Sequence, residues 1–575
     1  MYSEYRSVQL LVSALKEYNV KHIVLSPGGS DIPIIHSIET DNFFKCYSVV
    51  DERSAVYFGI GISQAENTPV ACVCTSGTAV SNYLPGMTEA YYQNVPIIAI
   101  TADKNPHFQG QIETQKIDQI NLFNSVSLKS VDLPYSNDPN DDWLCERLIK
   151  EAITSAIYHS KGPVHINLPI VGSYNNYSCN SLPPIRKVLK INYESGPIVW
   201  NSYIKKIHNA KKILIIVGQN ILFTEEDKKY IERFFELYNC FISVEHISNL
   251  NCKGCIYTYS ITETGNATTE EYIPDLVISI GNNISSYSLK PLLRKNFKKF
   301  THISIDASGR YRDTFKGLSD IFECSPQFFF KYFVQNAPEN SSNDLAYYSL
   351  WKKLEEKIDI TEFEFSPYYV AQKLSTIIPE NSVLHLAILN STRIMQFFPL
   401  NKGVKVFSNI GALGIDGCLS TFMGQQANIN NQLAFCIIGD LSFFYDMNAV
   451  GIKHLNKNSR IILLNNGGGA EFHLFMDKNK IPTLNNFVCA EHTKTAKGWI
   501  ESLGFDYYSA HTKKDLDDCI TIFSKASEHP LFLEVFTDKE EDARISKVFF
   551  QKLAPQRTIA QTAKSLVKKV INKLS

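Results

Sequence analysis

Long uncharged apolar runs are missing from the 575-residue sequence. No stretch of about 18 such residues occurs, so no transmembrane helix is expected. The opening residues, MYSEYRSVQLLVSALKEY, scatter their charges and lack an apolar core, so they do not read as a secretory leader. An excess of charge of one sign is lacking too. The formal net charge is −1, which builds no basic field for nucleic acid. Short-period repeats and low-complexity tracts are absent. Cysteine is present, with 13 residues, and Cys252 and Cys255 form one CxxC. A zinc site would want a second pair or nearby histidines, and the sequence offers neither there. Cys72, Cys74 and Cys436 sit inside apolar runs, which suits buried thiols in a reducing cytoplasm, the expected location.

What is there is a long alternation. Short apolar runs such as HIVLSPG (22–28), PVACVCTSG (69–77), VPIIAITAD (95–103) and PVHINLP (163–169) recur, separated by helical patterns. KILIIVG (212–218), DLVISIG (275–281), QLAFCIIGD (432–440), RIILLNN (460–466) and PLFLEVF (530–536) continue the series. Continuous apolar runs that end in Gly, Asp, Asn or Ser read as parallel strands buried on both faces. The expected class is therefore α/β, with doubly wound parallel sheets. The length far exceeds a single core. Two polar joints, SCNSLPPIRK (178–187) and NAPENSSND (336–344), divide it into blocks 1–180, 181–345 and 346–540, followed by a tail, 541–575.

The third block carries the strongest chemical signal. AFCIIGD ends at Gly439-Asp440, and the helical pattern YDMNAVGIKHL follows. RIILLNN ends at Asn465-Asn466, before Gly467-Gly468-Gly469. Asp440 and Asn466 are 26 residues apart, about one strand–helix–strand unit, so both fall at neighbouring C-terminal strand ends, where ligands bind in open α/β sheets. A carboxylate, an amide oxygen and backbone carbonyls are hard ligands that suit Mg²⁺. N–H groups around Leu441 and Ser442 open the following helix and can meet a diphosphate. Either motif alone is usually a plain turn. Together they resemble the GD…NN motif of thiamine diphosphate (ThDP) enzymes, although that motif commonly has Gly where Leu441 stands.

A ThDP enzyme needs a carboxylic acid at the cofactor's pyrimidine N1′, so that the aminopyrimidine can take the thiazolium C2 proton. Glu52 fits, at the junction of FFKCYSVV and the helical ERSAVYFGIGIS. Taken alone, Glu52 reads as a carboxylate at a helix start. Thr75, Gly77 and Asn82, in and after a turn that ends a strand, can pack near the pyrimidine, and Gly77 permits close approach.

SPGGSDIPI (26–34), DERSAVYFGIG (51–61), TSGTAVSN (75–82), TADK (101–104), SNIGALGIDG (408–417), GDLSFFYDMNA (439–449) and NNGGGAEF (465–472) together resemble the SEPHCHC synthase family of menaquinone biosynthesis. The resemblance spans about residues 5–540 and implies coupling of a 2-oxo acid, 2-oxoglutarate in that family, to isochorismate. It makes the three blocks pyrimidine-binding, central and diphosphate-binding domains. Ile415 becomes the residue that bends the cofactor, and otherwise reads as a core isoleucine. Asp440, Asn466 and the Gly468 carbonyl become the Mg²⁺ ligands, with Gly439, Leu441 and Ser442 beside the diphosphate. Such enzymes share each active site between subunits, which implies a homodimer or homotetramer.

The family's substrate-binding arginines are a different matter. Its PGSRSTP becomes PGGSDIP, with Ser30 in place of Arg. NSLVVR becomes NSTRIM, with Met395 in place of Arg, and SNRG becomes SNIG, with Ile410. TADR becomes TADK, so Lys104 keeps a charge without the bidentate geometry. Each lost charged hydrogen bond costs about 1.5–3 kcal/mol. Gln115, Lys290 and Ser391 match family positions, and Arg393 lies two residues from a lost arginine. Glu471, before Phe472, stands where the family has an apolar residue. It reads either as a polar contact to a hydroxyl-rich acceptor or as a surface glutamate. The expectation is ThDP chemistry on a 2-oxo acid with a changed donor and an unidentified acceptor. An unchanged SEPHCHC synthase and a catalytically silent scaffold are the alternatives. After Pro555, Ile559, Ala563, Leu566, Val567, Val570, Ile571 and Leu574 share one face of a lysine-bearing amphipathic pattern. That pattern reads as a helix docked on its own oligomer or as a weak membrane-surface contact.

Overall fold

The computed structural model describes residues 1–555 except 136–137, 159–160, 220–222, 361, 428, 430, 453–454 and 477–479. The basic amphipathic pattern after Pro555 lies outside the described residues.

Six strands form the first sheet: β1 (His22–Leu25), β2 (Lys45–Ser48), β3 (Val70–Cys74), β4 (Ile97–Asp103), β5 (Lys129–Asp132) and β6 (Val164–Pro169). They lie in the order β2-β1-β3-β4-β6-β5 and pair in parallel. The middle of the chain supplies β7 (Leu189–Ile191), β8 (Ile213–Val217), β9 (Cys240–Val244), β10 (Cys255–Tyr257), β11 (Leu276–Ile280), β12 (Thr301–Ile305) and β13 (Leu318–Phe322). Of these, β10-β9-β8-β11-β12 run side by side, again in parallel. The last sheet holds β14 (Val383–Leu386), β15 (Lys405–Phe407), β16 (Ala434–Gly439), β17 (Ser459–Asn465), β18 (Asp506–Ala510) and β19 (Leu531–Phe536). Its order, β15-β14-β16-β17-β19-β18, repeats the topology of the first sheet. Helices lie between most successive strands, so the fold is α/β with three parallel sheets.

Burial on both faces explains why the strands read as unbroken apolar runs. In the last sheet Phe435, Ile437, Ile462 and Leu464 enter one core, while Cys436, Ile438, Ile461 and Leu463 enter another on the opposite face. In the first sheet Ala71 and Val73 face one core and Val70, Cys72 and Cys74 the other. The described chain divides into two compact units, Met1–Ile191 with Gly309–Ile321, and Asn192–Ser308 with Phe322 onward. No described helix is long and apolar enough to cross a membrane.

One local expectation is corrected. YDMNAVGIKHL does not continue as a single helix. An α-helix spans Asp440–Tyr445 and a 3₁₀ turn spans Met447–Gly451. The break falls at Asp446, whose carboxylate accepts the Ser420 N–H and Oγ–H and whose backbone leaves the helical region (φ −110°, ψ 17°).

Candidate functional site

Strand order reverses between β14 and β16, and again between β1 and β3. Such switch points open a crevice at the C-terminal strand ends. At the first of these, Gly439 closes β16 and Asp440 starts the short helix. Asp440 is 3% exposed. Its Oδ2 accepts the N–H groups of Asn466 (3.1 Å) and Gly468 (2.9 Å), and its Oδ1 accepts that of Leu441 (2.6 Å). His492 Nε2 lies 3.4 Å from Oδ2. Burial raises the Asp440 carboxyl above its usual range, with the Gly468 N–H and His492 pulling the other way. Register puts Gly439 opposite Leu464, so Asn466 emerges beside Asp440 as the spacing implied. The Asn466 Nδ2 donates to Asp542 Oδ2 at 3.0 Å. Gly468 has φ +142°, and a Cβ there would lie 2.6 Å from the Cys489 carbonyl oxygen, so glycine is required.

This donor set fits a hard divalent cation. Asp440 is buried with partial neutralisation only, and Asn466 has its donor engaged and its Oδ1 left over. Asp542 is buried, its Oδ1 makes no hydrogen bond, and burial pushes its carboxyl up to about 7. A carboxylate, an amide oxygen and a carbonyl are the oxygen ligands that Mg²⁺ takes.

Around these groups lies a cavity of about 220 Å³ lined by Ser391, Ile415, Asp440, Leu441, Ser442, Glu471, Phe472 and Asp542, among others. Ser442 Oγ donates to the Ile415 carbonyl at 2.8 Å, which ties the SNIGALGIDG loop to the start of the helix. Ser391 is buried in the wall. An adjoining cavity of about 400 Å³, sharing Leu389, is lined by Tyr287, Lys290, Arg294, Arg393 and Ile410. Arg393 Nη1 donates to Glu471 Oε1 at 2.7 Å, and the guanidinium sits 4.6 Å from the Tyr287 ring centroid. Burial opposes the Arg393 charge, but Glu471 overcomes it and holds the pKa above the ordinary value. The surface-glutamate reading of Glu471 is therefore corrected: it is partly buried and committed to an ion pair. Lys290 Nζ donates to the Ile284 carbonyl at 3.3 Å, and burial lowers its pKa. Met395 and Ile410, which stand at lost arginines, join the apolar core.

Near the β1/β3 switch point Ser30 and Thr75 meet, and Gly77 meets Gln115, while Asn82 and Lys104 are not part of these contacts. Gly28 packs so closely on Thr75 that a Cβ would lie 2.2 Å from the Thr75 Cβ, and the buried Ser30 donates its N–H to Thr75 Oγ1 at 3.3 Å. Gly77 (φ +83°) donates its N–H to Gln119 Oε1 at 3.0 Å and lies against Gln115. Glu52 is the first residue of the helix Glu52–Glu66. Asp51, not Glu52, caps that helix, accepting the Arg53 and Ser54 N–H groups. Glu52 is thus not consumed as a cap. Asn82 is exposed on the helix Thr78–Tyr92. Lys104 Nζ donates to the Thr114 carbonyl at 2.6 Å and lies 3.7 Å from Glu113.

Three carboxylate- or imidazole-bearing positions escaped the sequence reading. His492 and Asp542 carry no motif and join the site only through the fold. Asp31 lies within SPGGSDIPI, at the second Ser of the family's PGSRSTP. It is fully buried, and neither carboxylate oxygen reaches full hydrogen-bond geometry with a donor. Burial pushes its pKa up to about 7. The Gly28 and Asp31 N–H groups offset that in part, and Glu52 adds to it.

Residues 6–122 match the family model described as thiamine pyrophosphate enzyme, N-terminal TPP binding domain. Over 567 residues the chain is 35% identical to a 2-succinyl-5-enolpyruvyl-6-hydroxy-3-cyclohexene-1-carboxylate synthase of Bacteroides thetaiotaomicron, which covers 96% of this chain and 100% of that one. It belongs to that synthase family. A synthase of the same name from Flavobacterium johnsoniae is 31% identical over 562 residues, covering 96% of this chain and all of its own. Another, from Porphyromonas gingivalis, is 28% identical over 569 residues, covering 96% and 97%. The chain is thus a thiamine diphosphate enzyme of the synthase family.

Proposed function

We propose that the chain is a Mg²⁺-assisted ThDP enzyme that decarboxylates a 2-oxo acid and transfers the acyl unit to an acceptor, with a substrate pair changed from that of its named relatives. Blocks 1–180, 181–345 and 346–540 serve as pyrimidine-binding, central and diphosphate-binding domains in this reading. When bound, ThDP supplies the carbanion chemistry at its C2. Asp440, Asn466 and the Gly468 carbonyl would hold the cation, and the Ser442 N–H would meet the diphosphate beside Leu441, whose own N–H is held by Asp440 Oδ1. Ile415, its carbonyl fixed by Ser442, would be the residue that bends the cofactor. Glu52, left free by the Asp51 cap, would hydrogen-bond the pyrimidine N1′.

The observation that carries the changed substrates is the Arg393–Glu471 pair, 2.7 Å long in the wall of the pocket. An arginine already neutralised by a partly buried carboxylate is a poor clamp for a second carboxylate. With Met395 and Ile410 in the core, a donor without a distal carboxylate, such as pyruvate, fits this pocket better than 2-oxoglutarate. A specific observation favours the second reading, an unchanged synthase: Lys290 and Arg294 still line the adjoining cavity. Self-association into a homodimer or homotetramer with shared sites is supported by exposed apolar side chains within or beside the motifs, among them Val50 just before the Glu52 helix and Phe58 on that helix.

CO₂ release from pyruvate and from 2-oxoglutarate, each with and without isochorismate, tests the proposal. Faster release from pyruvate supports it. Release from 2-oxoglutarate that depends on isochorismate refutes the substrate change and establishes the second reading.

A further inference from the structure

The helix Lys539–Leu553 follows the last strand, and its Asp542 reaches the metal-binding turn. An asparagine amide has two faces, one donating through Nδ2 and one accepting through Oδ1, and only the second is useful to a cation. Nothing in Asn466 itself decides which face is presented. Asp542 decides it, because its Oδ2, which also accepts the Thr537 hydroxyl, presents an acceptor to the amide. The Asn466 Nδ2 donates to Asp542 Oδ2 at 3.0 Å, which leaves Oδ1 on the other side.

Asp542 is itself held in place. Thr537 Oγ1 donates to the same Oδ2 at 2.7 Å, and the Thr537 N–H donates to the Asn465 carbonyl at 3.0 Å. Asp538 caps the helix through the Glu540 and Glu541 N–H groups. The start of this helix is thereby tied to the end of β17, one residue before Asn466. Asp542 is buried, and its Oδ1 makes no hydrogen bond. Such a group is not kept for packing alone, since a buried polar atom without a partner destabilises the fold.

We propose that Asp542 is a positioning residue of the cation site, fixing the Asn466 amide so that its Oδ1 faces the metal beside Asp440. The inference rests on the reading of Asp440, Asn466 and Gly468 as metal ligands. It assigns Asp542 no contact with substrate or metal. Groups that orient metal ligands typically contribute 10–100-fold to affinity.

The test is Mn²⁺ binding to the full chain in the presence of ThDP, read by the electron paramagnetic resonance of free Mn²⁺. Asp542→Asn introduces a side chain that can donate as well as accept, so the Asn466 amide is free to turn over. A weakening of roughly 10–100-fold is expected, with the melting temperature of the ligand-free protein not lowered. The exchanged pair Asp542→Asn with Asn466→Asp reverses donor and acceptor and leaves a carboxylate oxygen for the metal. It is expected to recover binding to within about tenfold of the wild type. Wild-type affinity in Asp542→Asn overturns the proposal. So does a loss that tracks a lowered melting temperature and is not recovered by the exchange. A wild-type chain that takes up no Mn²⁺ with ThDP overturns the metal-site reading itself, and this inference with it.

Discussion

Replacing Asp31 with serine, the residue of the family pattern, removes a carboxyl buried without a hydrogen bond of full geometry. In the folded chain its pKa is pushed from 3.8 to about 7, mainly by burial. The folded state therefore holds this proton more tightly than the unfolded chain does. The resulting contribution to stability is fully present below the unfolded value, near 3.8. It falls as pH rises and is lost once pH passes the folded value of about 7. A pKa difference of this size corresponds to about 4 kcal/mol at most, at ~1.4 kcal/mol per pH unit. For a domain of this class, 1 kcal/mol moves the melting temperature by roughly 2–4 °C. Asp31→Ser should melt higher than the wild type by up to about 10 °C near pH 8, with the gap shrinking steadily toward pH 5. Differential scanning calorimetry of both proteins across that range measures it. A gap independent of pH, or a variant less stable than the wild type near pH 8, would refute the picture of a poorly paired buried carboxyl. Such a penalty is tolerated where a site needs the group, and Asp31 lies close enough to Glu52 to feel its charge.

Three further outcomes are expected. Glu471→Gln releases Arg393 from its ion pair and should raise kcat/KM for 2-oxoglutarate relative to pyruvate by about tenfold or more, as charged hydrogen bonds of ~1.5–3 kcal/mol allow; an unchanged ratio argues against the clamp. Glu52→Gln should release no CO₂ in steady-state assays while binding ThDP within a few-fold of wild type by calorimetry, since Asp51 and not Glu52 caps the helix. Gly468→Ala forces a Cβ to 2.6 Å from the Cys489 carbonyl and should weaken ThDP–Mg²⁺ binding through a strain of about 1–3 kcal/mol; wild-type affinity would show that the turn is more pliable than its φ of +142° implies.

The central strands were legible because parallel strands buried on both faces leave unbroken apolar runs, and β16, β17 and β19 begin and end within two residues of the runs that announced them. Edge strands such as β5 (Lys129–Asp132) and β18 (Asp506–Ala510) were not, since their side chains are partly exposed and their runs mixed. Asp440 and Asn466 could be paired from sequence because one strand–helix–strand unit fixes their separation. No such rule links Arg393 to Glu471, 78 residues apart, or Asn466 to Asp542, 76 apart. Those pairs exist only because β14, β17 and the last helix converge on one crevice. Asp31 was visible as a letter in a motif, but its complete burial is a product of tertiary packing, which no pattern encodes.

The most direct test of the account is calorimetric titration of the full chain with ThDP, with and without Mg²⁺, alongside Asp440→Ala. Saturable binding that requires Mg²⁺ and is lost in Asp440→Ala is the predicted result. Absence of binding under any of these conditions, or binding indifferent to both Mg²⁺ and Asp440, would contradict it.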